Sequence, residues 1–459
     1  MTTPRSHFIG IGGIGMSGIA RYLIAHGKNV SGSDSKESAT VTDLRQMGCQ
    51  VFLGHHPENV HGATEIITST AINPDNPEVQ EARRLNIPII HRSQKLAELV
   101  NARRGITIAG THGKTTTSSM VATMLRHAGV GPSYVIGGIV NTFKDNASCG
   151  DTEWFVIEAD ESDGSLVAYT PEITALTNIE LDHLDFYRSK EHLHEIFATH
   201  VGNVHPGGLV IYCADDPGCN ELIAANRTSE KDFLSYGLKD GAQIQATNIV
   251  SNGLQNQFDV LHHGALLGSI TLAIPGHHNV QNSLVAVAVG LRLGLTFDQI
   301  ASGLAEFQGV QRRFQILTQS DSYTIVDDYA HHPSEIAATL NAARHSHKDR
   351  IIAIFQPHRY SRTQAFAREF GAAFANANEV IITDIYAAGE TPIPDITAEL
   401  IIGHLNENHH PNTRYIACHN EIEEYIRGHI QPNDLVITLG AGDINKIAHN
   451  LSADLAALP

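Results

Sequence analysis

The chain has 459 residues, of which 42% are hydrophobic and 17% charged, and its formal net charge is −18. This length predicts two to four domains. The acidic balance excludes a broad nucleic-acid-binding surface, which would need basic side chains. No apolar run approaches the ~18 residues of a membrane span, and the five cysteines form no CxxC pair. We therefore expect a cytoplasmic protein with reduced thiols and no membrane insertion.

The first block of the chain, residues 7–104, alternates short apolar strands with amphipathic helical segments. This alternation predicts βα units and a parallel sheet. The stretch "HFIGIGGIGMSGIA" matches G-x-G-x-x-G in two overlapping registers, and Asp34 follows at the end of the second strand. Such a pattern is typical of a pyrophosphate bound at a helix N-terminus and makes NAD the first ligand to consider. The glycines concerned are Gly10, Gly12, Gly13 and Gly15.

A second glycine loop begins the middle block in "GITIAGTHGKTTTSS", between a predicted strand and a predicted helix. It is a shorter form of the common phosphate loop, because Ile108 stands where GxxxxGK[ST] has its first glycine. We expect Lys114 to reach the β- and γ-phosphates of ATP or GTP and the Thr115 hydroxyl to bind Mg²⁺. The candidate phosphate-binding residues are Gly110, Thr111, His112, Gly113, Lys114, Thr115 and Thr116.

Acidic residues follow two later strands of the same block, in "WFVIEADESD" and "TALTNIELDHLDF". Ligands of parallel sheets lie beyond the carboxyl ends of strands, so these acids are expected beside the phosphate loop. Glu158 is the best candidate for Mg²⁺, since it is the first residue after its strand. His183 is equally consistent with a metal ligand and with a hydrogen-bonded loop residue. Residues 231–272 predict a small antiparallel part.

The third block begins near "VQRRFQ" and again alternates strands and helices. Its strand ends carry "DDYAHHP" and "FQPHRYSRT", in which Arg359 and Arg362 are spaced to hold a carboxylate or a phosphate in a bidentate manner. A zinc site at the histidines is disfavoured because adjacent histidines point apart and no thiolate or HExxH helix is present. The sequence thus predicts three α/β domains with boundaries at 1–104, 105–311 and 312–459.

Seven motifs along the chain resemble those of the Mur ligases, the ATP-dependent amide ligases of peptidoglycan precursor synthesis. They are "GTHGKTTT", "EADESD", "TNIELDHLD", "GHHNVQNSLVA", "RRF", "DDYAHHPSE" and "FQPHRYSRT", in the family's order. The resemblance implies a Rossmann-like UDP-binding domain, a central P-loop-type ATPase domain with a parallel sheet, and a C-terminal Rossmann-like domain for the amino acid.

The resemblance also implies a reaction with three small-molecule substrates, UDP-N-acetylmuramate, L-alanine and ATP, and with Mg²⁺ as cofactor. The muramoyl carboxylate attacks the γ-phosphate of ATP, and the amine of L-alanine then attacks the resulting acyl phosphate. A related ligase that recycles whole tripeptides is an alternative, since Ala330 of "DDYAHHP" matches that relative. Further alternatives are a P-loop ATPase or kinase, an NAD-dependent oxidoreductase and a regulatory nucleotide-binding protein. Each of these functions would leave some of the motifs without a role.

Residue roles are implied by the same motif positions. Lys114, Glu158, His183, His331 and Arg359 would be catalytic, and Thr115, Glu158 and His183 would hold Mg²⁺. His278, Asn279 and Asn282 resemble an adenine-facing segment, either Arg312 or Arg313 resembles a phosphate-contacting arginine, and Asp328 resembles a nucleotide-side acid. Tyr329, His331, Arg359 and Arg362 resemble an amino-acid pocket. The UDP-substrate would meet Gly10, Gly12, Gly13, Gly15, Asp34, Ser69, Thr70 and Ala71.

Overall fold

The computed structural model describes residues 4–182, 186–320, 323–346 and 349–455. The chain divides into two compact units. Unit 1 comprises Met1–Gln245, Val260–Gly268 and Asn282–Phe307, and unit 2 comprises Ala246–Asp259, Ser269–Gln281 and Gln308–Pro459. Within the described ranges, no helix is both long enough and apolar enough to cross a membrane.

The first sheet, in unit 1, has five parallel strands in the order β3-β2-β1-β4-β5. Strands β2 and β3 lie on one side of β1, and β4 and β5 lie on its other side. Ligands of such sheets bind where the strand order reverses, which here lies beyond the carboxyl ends of β1 and β4. The strands are β1 (Arg5–Ile9), β2 (Asn29–Asp34), β3 (Gln50–Leu53), β4 (Glu65–Thr68) and β5 (Ile89–His91), and the helices are α1 (Ile14–Ala25), α2 (Ala39–Gln46), α3 (Pro77–Arg84) and α4 (Arg92–Asn101).

The second sheet has ten strands, in the order β15-β14-β13-β12-β11-β10-β6-β9-β7-β8. Its order reverses between β6 and β10, which pair in parallel. The strands are β6 (Arg104–Ala109), β7 (Ser133–Val140), β8 (Asp145–Ser148), β9 (Trp154–Glu158), β10 (Ile173–Leu176), β11 (Leu209–Cys213), β12 (Asp232–Gly237), β13 (Ile244–Asn252), β14 (Gln255–His262) and β15 (Ala265–Leu272). The helices are α5 (Lys114–His127), α6 (Lys190–Gly202), α7 (Pro217–Asn226), α8 (His277–Arg292) and α9 (Phe297–Ala305).

The predicted antiparallel part of this sheet is found in β13, β14 and β15, which are joined by two-residue loops typical of hairpins. A second antiparallel pair, β7 with β8, is absent from the sequence prediction. Its signal is weak because two glycines interrupt "SYVIGGIV" and "DNAS" is polar. β12 pairs in parallel with β11 and so belongs to the parallel part of the sheet.

The third sheet, in unit 2, has six strands in the order β16-β17-β21-β18-β19-β20. Only β16 is antiparallel to its neighbour within the described residues. The strands are β16 (Gln315–Gln319), β17 (Tyr323–Asp328), β18 (Ile351–Phe355), β19 (Glu379–Ile382), β20 (Thr413–Tyr415) and β21 (Asp434–Leu439), and the helices are α10 (Pro333–Ser346), α11 (Tyr360–Ala373), α12 (Glu399–Glu407), α13 (His419–His429) and α14 (Asn445–Leu455).

Helices cover both faces of the third sheet, as its apolar strands require. Along β18, Ile351, Ala353 and Phe355 pack into one core cluster, and Ile352 and Ile354 pack into another. Successive side chains of a strand point to opposite faces, so a strand that is apolar throughout must be covered twice. The predicted α/β class is therefore confirmed, with one sheet in each predicted block. The exact domain boundaries remain predictions.

Candidate active site

The phosphate loop after β6 depends on two glycines with left-handed backbone angles. Gly110 has φ +133° and Gly113 has φ +83°. A Cβ at Gly110 would lie 2.1 Å from the Thr177 hydroxyl oxygen, so a side chain does not fit there. Gly113 also caps helix α5, whose first-turn N–H groups have no partners within the helix and point toward the loop. The loop and helix N-terminus therefore form the anion-binding geometry that the motif predicts.

The loop is held in shape by the segment that follows β10. Thr111 N donates to the Asn178 carbonyl at 3.0 Å, and His112 N donates to Asn178 Oδ1 at 2.8 Å. The Thr177 hydroxyl donates to the His112 carbonyl at 2.6 Å. Thr111 Oγ1 also exchanges hydrogen bonds with the backbone of Glu180. The two strand ends at the reversal of the sheet thus form one rigid platform.

Lys114 lies inside this loop. Its ammonium donates to the Gly110 carbonyl at 2.6 Å and to the Thr111 carbonyl at 2.9 Å, and it lies 2.7 Å from Glu161 Oε2. Burial alone would lower the pKa of Lys114, but the carboxylates of Glu161 and Asp160 raise it above its ordinary value. Lys114 is therefore a fixed cation at the phosphate loop. Glu161 was not singled out from the sequence, although it lies within the acidic motif.

Glu158 lies against the start of helix α5. Its Oε2 accepts from the Thr115 hydroxyl at 3.1 Å, and its Oε1 accepts from Gly137 N at 2.7 Å. The structure thus brings together two of the three predicted Mg²⁺ ligands, and both offer the hard oxygen atoms that Mg²⁺ prefers. The oxygen atoms of Thr115 and Glu158 therefore fit Mg²⁺. The third predicted ligand, His183, lies outside the described residues.

Four further predicted nucleotide contacts are divided between the units. In unit 1, a Cβ at Gly113 would lie 3.0 Å from Asn282 Oδ1, so this amide packs against the phosphate loop. Thr116 is buried in α5. In unit 2, Asn279 Nδ2 donates to the Pro275 carbonyl at 2.7 Å, and burial lowers the pKa of His278 to about 4. His278 is accordingly a neutral side chain at neutral pH.

Asp34, the acid of the first glycine motif, hydrogen-bonds to the first glycine loop. Gly12 N donates to Asp34 Oδ2 at 2.9 Å, and Gly13 caps helix α1. The loop after β4 carries Ser69–Ala71 and reaches the same place, since a Cβ at Gly10 would lie 3.2 Å from the neighbouring Ile72 side chain. The predicted UDP-substrate residues of β1, β2 and β4 therefore lie together at the reversal of the first sheet.

Arg92, the first residue of α4, joins this loop to the acidic motif and was missed by the sequence interpretation. A Cβ at Gly15 would lie 3.1 Å from Arg92 Nη1, and Arg92 Nη2 donates to Asp160 Oδ2 at 3.1 Å. Burial would raise the pKa of Asp160, but Lys114 and Arg92 lower it to about 2. The signal that could have found Arg92 is its position directly after β5, at the carboxyl edge of the first sheet.

In unit 2, the two candidate phosphate-contacting arginines share one aromatic ring. The guanidinium carbons of Arg312 and Arg313 lie 5.0 Å and 5.1 Å from the centre of the Tyr329 ring. Arg312 also donates to Asp327 at 3.3 Å and to the Gly440 carbonyl at 2.7 Å. Arg313 lies 3.5 Å from Glu335. Both side chains belong to one cluster, and the choice between them remains open.

Of the other predicted amino-acid-pocket residues, His331 contacts the same ring and Arg362 lies close to its neighbour His358. His331 meets Tyr329 edge-on at 5.3 Å and His358 at 5.5 Å. Arg362 Nη1 lies 3.4 Å from His358 Nδ1. Arg359 caps α11 with φ +71°, a backbone angle uncommon for a residue other than glycine. His358 is a member of this cluster that the predicted set of pocket residues omits.

Asp328 is buried at the end of β17. Its carboxylate accepts from Phe314 N and Ala330 N, both at 2.7 Å. Burial raises the pKa of Asp328 to about 6, although Arg313 and these two N–H groups act in the opposite direction. Asp328 thus holds the backbone of the arginine segment and of the "DDYAHHP" loop in place, and its role as a nucleotide-side acid stays a prediction.

Together, the fold and these sites define a three-domain α/β protein in which a glycine loop and a helix N-terminus follow the first strand of each of two sheets. Comparison with known families narrows this class. Residues 5–104 match the Mur ligase family catalytic domain, residues 108–290 match the Mur ligase middle domain, and residues 312–442 match the Mur ligase glutamate ligase domain. The chain belongs to the Mur ligase family.

Individual relatives are similar over nearly the whole chain. A UDP-N-acetylmuramate–L-alanine ligase of Trichlorobacter lovleyi is 46% identical over 440 residues, which covers 95% of this chain and 96% of that protein. The crystal structure of a UDP-N-acetylmuramate–alanine ligase from Thermotoga maritima matches with a TM-score of 0.84 and 28% identity, over 99% of each chain. A murein peptide ligase from Psychrobacter arcticus, at 24% identity and a TM-score of 0.74 over 99% of each chain, shares the fold.

Proposed function

We propose that this protein is an ATP-dependent ligase that joins L-alanine to UDP-N-acetylmuramate in peptidoglycan precursor synthesis. The observation that carries the proposal is the presence of two phosphate-binding glycine loops in one compact unit, after β1 and after β6. Two such loops favour two phosphorylated ligands, which a dehydrogenase or a simple ATPase does not need. The full-length similarity to UDP-N-acetylmuramate–L-alanine ligases supports the identity of both substrates.

In the first step, an oxygen of the muramoyl carboxylate attacks the γ-phosphorus of ATP, and the bond to the β,γ-bridging oxygen breaks. The products are an acyl phosphate and ADP. Lys114 is suited to stabilise the negative charge on the transferring group, because its ammonium is fixed in the loop and stays protonated. Gly113 and the N-terminus of α5 supply backbone N–H groups to the phosphates.

Thr115 and Glu158 would hold Mg²⁺ beside the phosphates, and His183 remains a predicted third ligand. When bound, the ion would neutralise charge on the β- and γ-phosphate oxygens. The hydrogen bond of 3.1 Å between the Thr115 hydroxyl and Glu158 supports this pair, because it places the two oxygen atoms side by side.

In the second step, the amine of L-alanine attacks the acyl carbonyl. The tetrahedral intermediate expels phosphate, and the amine loses its proton to give the amide. Within unit 2, Arg362 and Arg359 are candidates to bind the alanine carboxylate. His331, which lies near Glu335 at 3.3 Å, is a candidate to orient the amine or accept its proton. Tyr329 and His358 form the aromatic wall of this cluster.

The proposal is tested by following ADP formation with UDP-N-acetylmuramate, ATP and L-alanine, each omitted in turn. We expect turnover only when all three are present, because the carboxylate and the amine are both reactants. Equal phosphate release without the UDP-sugar would overturn the ligase assignment. Replacing L-alanine by glycine, L-serine or the tripeptide in parallel assays identifies the amino-acid substrate, and preference for the tripeptide would instead favour the recycling ligase.

A further inference from the structure

Helices α6 and α7 of unit 1 leave a groove of about 390 Å³ between them, which we call the α6–α7 groove. Its volume lies within the range of sites that bind small organic molecules. Its apolar part is formed by Ala198 of α6 and by Leu222 and Ala225 of α7. None of these residues belongs to the candidate active site.

Acidic side chains accompany the apolar part of the groove. Glu191 and Glu195 line it from α6, and Glu221 lines it from α7. Glu221 pairs with Lys190 at 2.8 Å, but both side chains are more than half exposed, so this ion pair contributes little and can exchange for another cation. Among the residues that the structure describes, Glu191 and Glu195 form no ion pair. The groove therefore has an excess of negative charge beside an apolar surface.

Two further features of the groove favour a cationic ligand. Asn226, the last residue of α7, also lines the groove, and the C-terminal end of a helix carries a partial negative charge. His194 of α6 lines the groove as well, and its Nε2 is buried with no hydrogen-bond partner in the described part of the chain. Buried polar atoms without a partner are uncommon. A neutral imidazole nitrogen can accept a hydrogen bond from an ammonium group, so a bound cation would supply the missing partner.

The groove is connected to the phosphate loop through the first turn of α7. The Asp216 carboxylate accepts from Cys219 N at 2.7 Å and from Ile179 N at 3.2 Å. The packing is close, because a Cβ at Gly218 would lie 2.5 Å from the Ile179 carbonyl oxygen. Ile179 directly follows Asn178, whose carbonyl and side chain hold the phosphate loop. A displacement of α7 at the groove therefore reaches the phosphate loop through direct contacts.

We propose that the α6–α7 groove binds a small organic cation, with a compact apolar group and one ammonium, and that this binding weakens the affinity of the phosphate loop for nucleotide. The apolar group packs against Leu222 and Ala225, and the ammonium pairs with Glu195. The nucleotide affinity falls because the contacts of α7 with Ile179 support the loop in its present geometry, which a shift of α7 disturbs. The coupling rests on the proposed function, since it takes ATP as the ligand of the loop, whereas the binding site itself does not.

The probe for the site is phenethylamine, and its neutral analogue phenethyl alcohol is the control ligand. Saturation-transfer NMR measures the affinity of each for the full-length protein without nucleotide or UDP-sugar. We expect saturable binding of the amine and about threefold weaker binding of the alcohol, as for the loss of one partly exposed ion pair. Glu195→Gln should weaken the binding of the amine by a similar factor. Equal affinity for the two ligands, or no saturable binding of the amine, overturns the proposal.

Ala225→Phe fills the groove, and Ala224→Phe is its matched control. Both alanines are exposed on α7, but Ala224 does not line the groove. Phenethylamine should bind Ala225→Phe about tenfold more weakly than the wild type, and it should bind Ala224→Phe with the wild-type affinity. Unchanged affinity in Ala225→Phe places the probe elsewhere and overturns the proposal. Urea unfolding of both variants identifies any loss of affinity that comes from misfolding, and in that case Glu195→Gln decides.

The coupling is measured by titration calorimetry of ADP, without and with saturating phenethylamine. We expect the amine to weaken ADP binding about threefold or more in the wild type and in Ala224→Phe, and to leave it unchanged in Ala225→Phe. By linkage, ADP should weaken the binding of the amine by the same factor. Unchanged ADP affinity in the wild type overturns the coupling. A wild type that binds phenethylamine but not ADP overturns the coupling together with the proposed function, and it supports the binding site alone.

Discussion

The ion pair between Lys114 and Glu161 makes a specific prediction about stability. The two charged atoms lie 2.7 Å apart, and the exposed fractions of the side chains are 15% and 1%. Replacing Lys114 by Met keeps the aliphatic stem but removes the charge and the hydrogen bonds to two loop carbonyls. The buried Glu161 carboxylate would then lose the counter-charge that Lys114 supplies.

The magnitude follows from the geometry. At an effective dielectric constant of about 20, two unit charges at this distance attract by roughly 6 kcal/mol, before their desolvation is subtracted. Removing one partner of a buried pair typically costs about 3–5 kcal/mol. We therefore expect Lys114→Met to lower the free energy of unfolding of unit 1 by about 3 kcal/mol. A second substitution, Glu161→Gln, removes the buried negative charge that Lys114 no longer balances and should restore about 2 kcal/mol of this loss.

The assay is urea unfolding at neutral pH, followed by the fluorescence of Trp154, the single tryptophan of the chain. Trp154 begins β9, which pairs with β6 directly before the phosphate loop, so it reports on the relevant sheet. Wild type, both single variants and the double variant form a thermodynamic cycle. The reasoning fails if Lys114→Met unfolds within about 0.5 kcal/mol of the wild type, or if the two single effects simply add.

Two further predictions concern the middle block. Gly110→Ala places a Cβ 2.1 Å from the Thr177 hydroxyl at a φ of +133°, so the phosphate loop must move. We expect calorimetry to show a loss of ATP binding while binding of the UDP-sugar is retained. Unchanged ATP affinity would contradict the proposed loop geometry. His200 is buried, and desolvation lowers its pKa in the folded protein to about 4 from an ordinary 6.5. As the pH falls, His200 is therefore protonated in the unfolded chain before it is protonated in the folded protein. Stability from His200 is complete above about pH 6.5 and declines as the pH falls toward 4, with about 2 kcal/mol lost by pH 5. The urea midpoint reported by Trp154 should follow this trend, and a trend unaltered in His200→Gln would assign it to other groups.

The parts of the site that could be predicted from the sequence are those defined by local geometry. A glycine loop between an apolar strand and a helix has few possible structures, so Gly110 and Gly113 were expected where the structure has them. Glu158 was predicted as the first residue after its strand and is instead the last residue of β9, at the sheet edge where the carboxyl ends of parallel strands meet. The contact between Glu158 and Thr115 follows from that topology.

The parts that escaped prediction depend on contacts between distant segments. Arg92 and Asp160 are 68 positions apart, so the position of Arg92 directly after β5 makes it a candidate but does not reveal its partner. The choice between Arg312 and Arg313 is likewise set by tertiary packing, since adjacent side chains of equal charge share the Tyr329 ring. The β7–β8 pair was missed because two glycines interrupt β7 and β8 is polar, so that these strands depend on pairing with the rest of the sheet.

The environment of Asp34 explains why a dinucleotide-binding pattern does not identify NAD in this chain. In that pattern the acid is expected to accept hydrogen bonds from a ribose. Here Oδ2 of Asp34 accepts from Gly12 N at 2.9 Å, and Oδ1 accepts from Lys36 N at 3.2 Å. Each oxygen thus already supports the backbone of the glycine loop or of its own turn. We therefore predict that the glycines and the helix N-terminus recognise a phosphate group, and that the rest of the ligand is selected by side chains outside the motif, such as those of the Ser69–Ala71 loop.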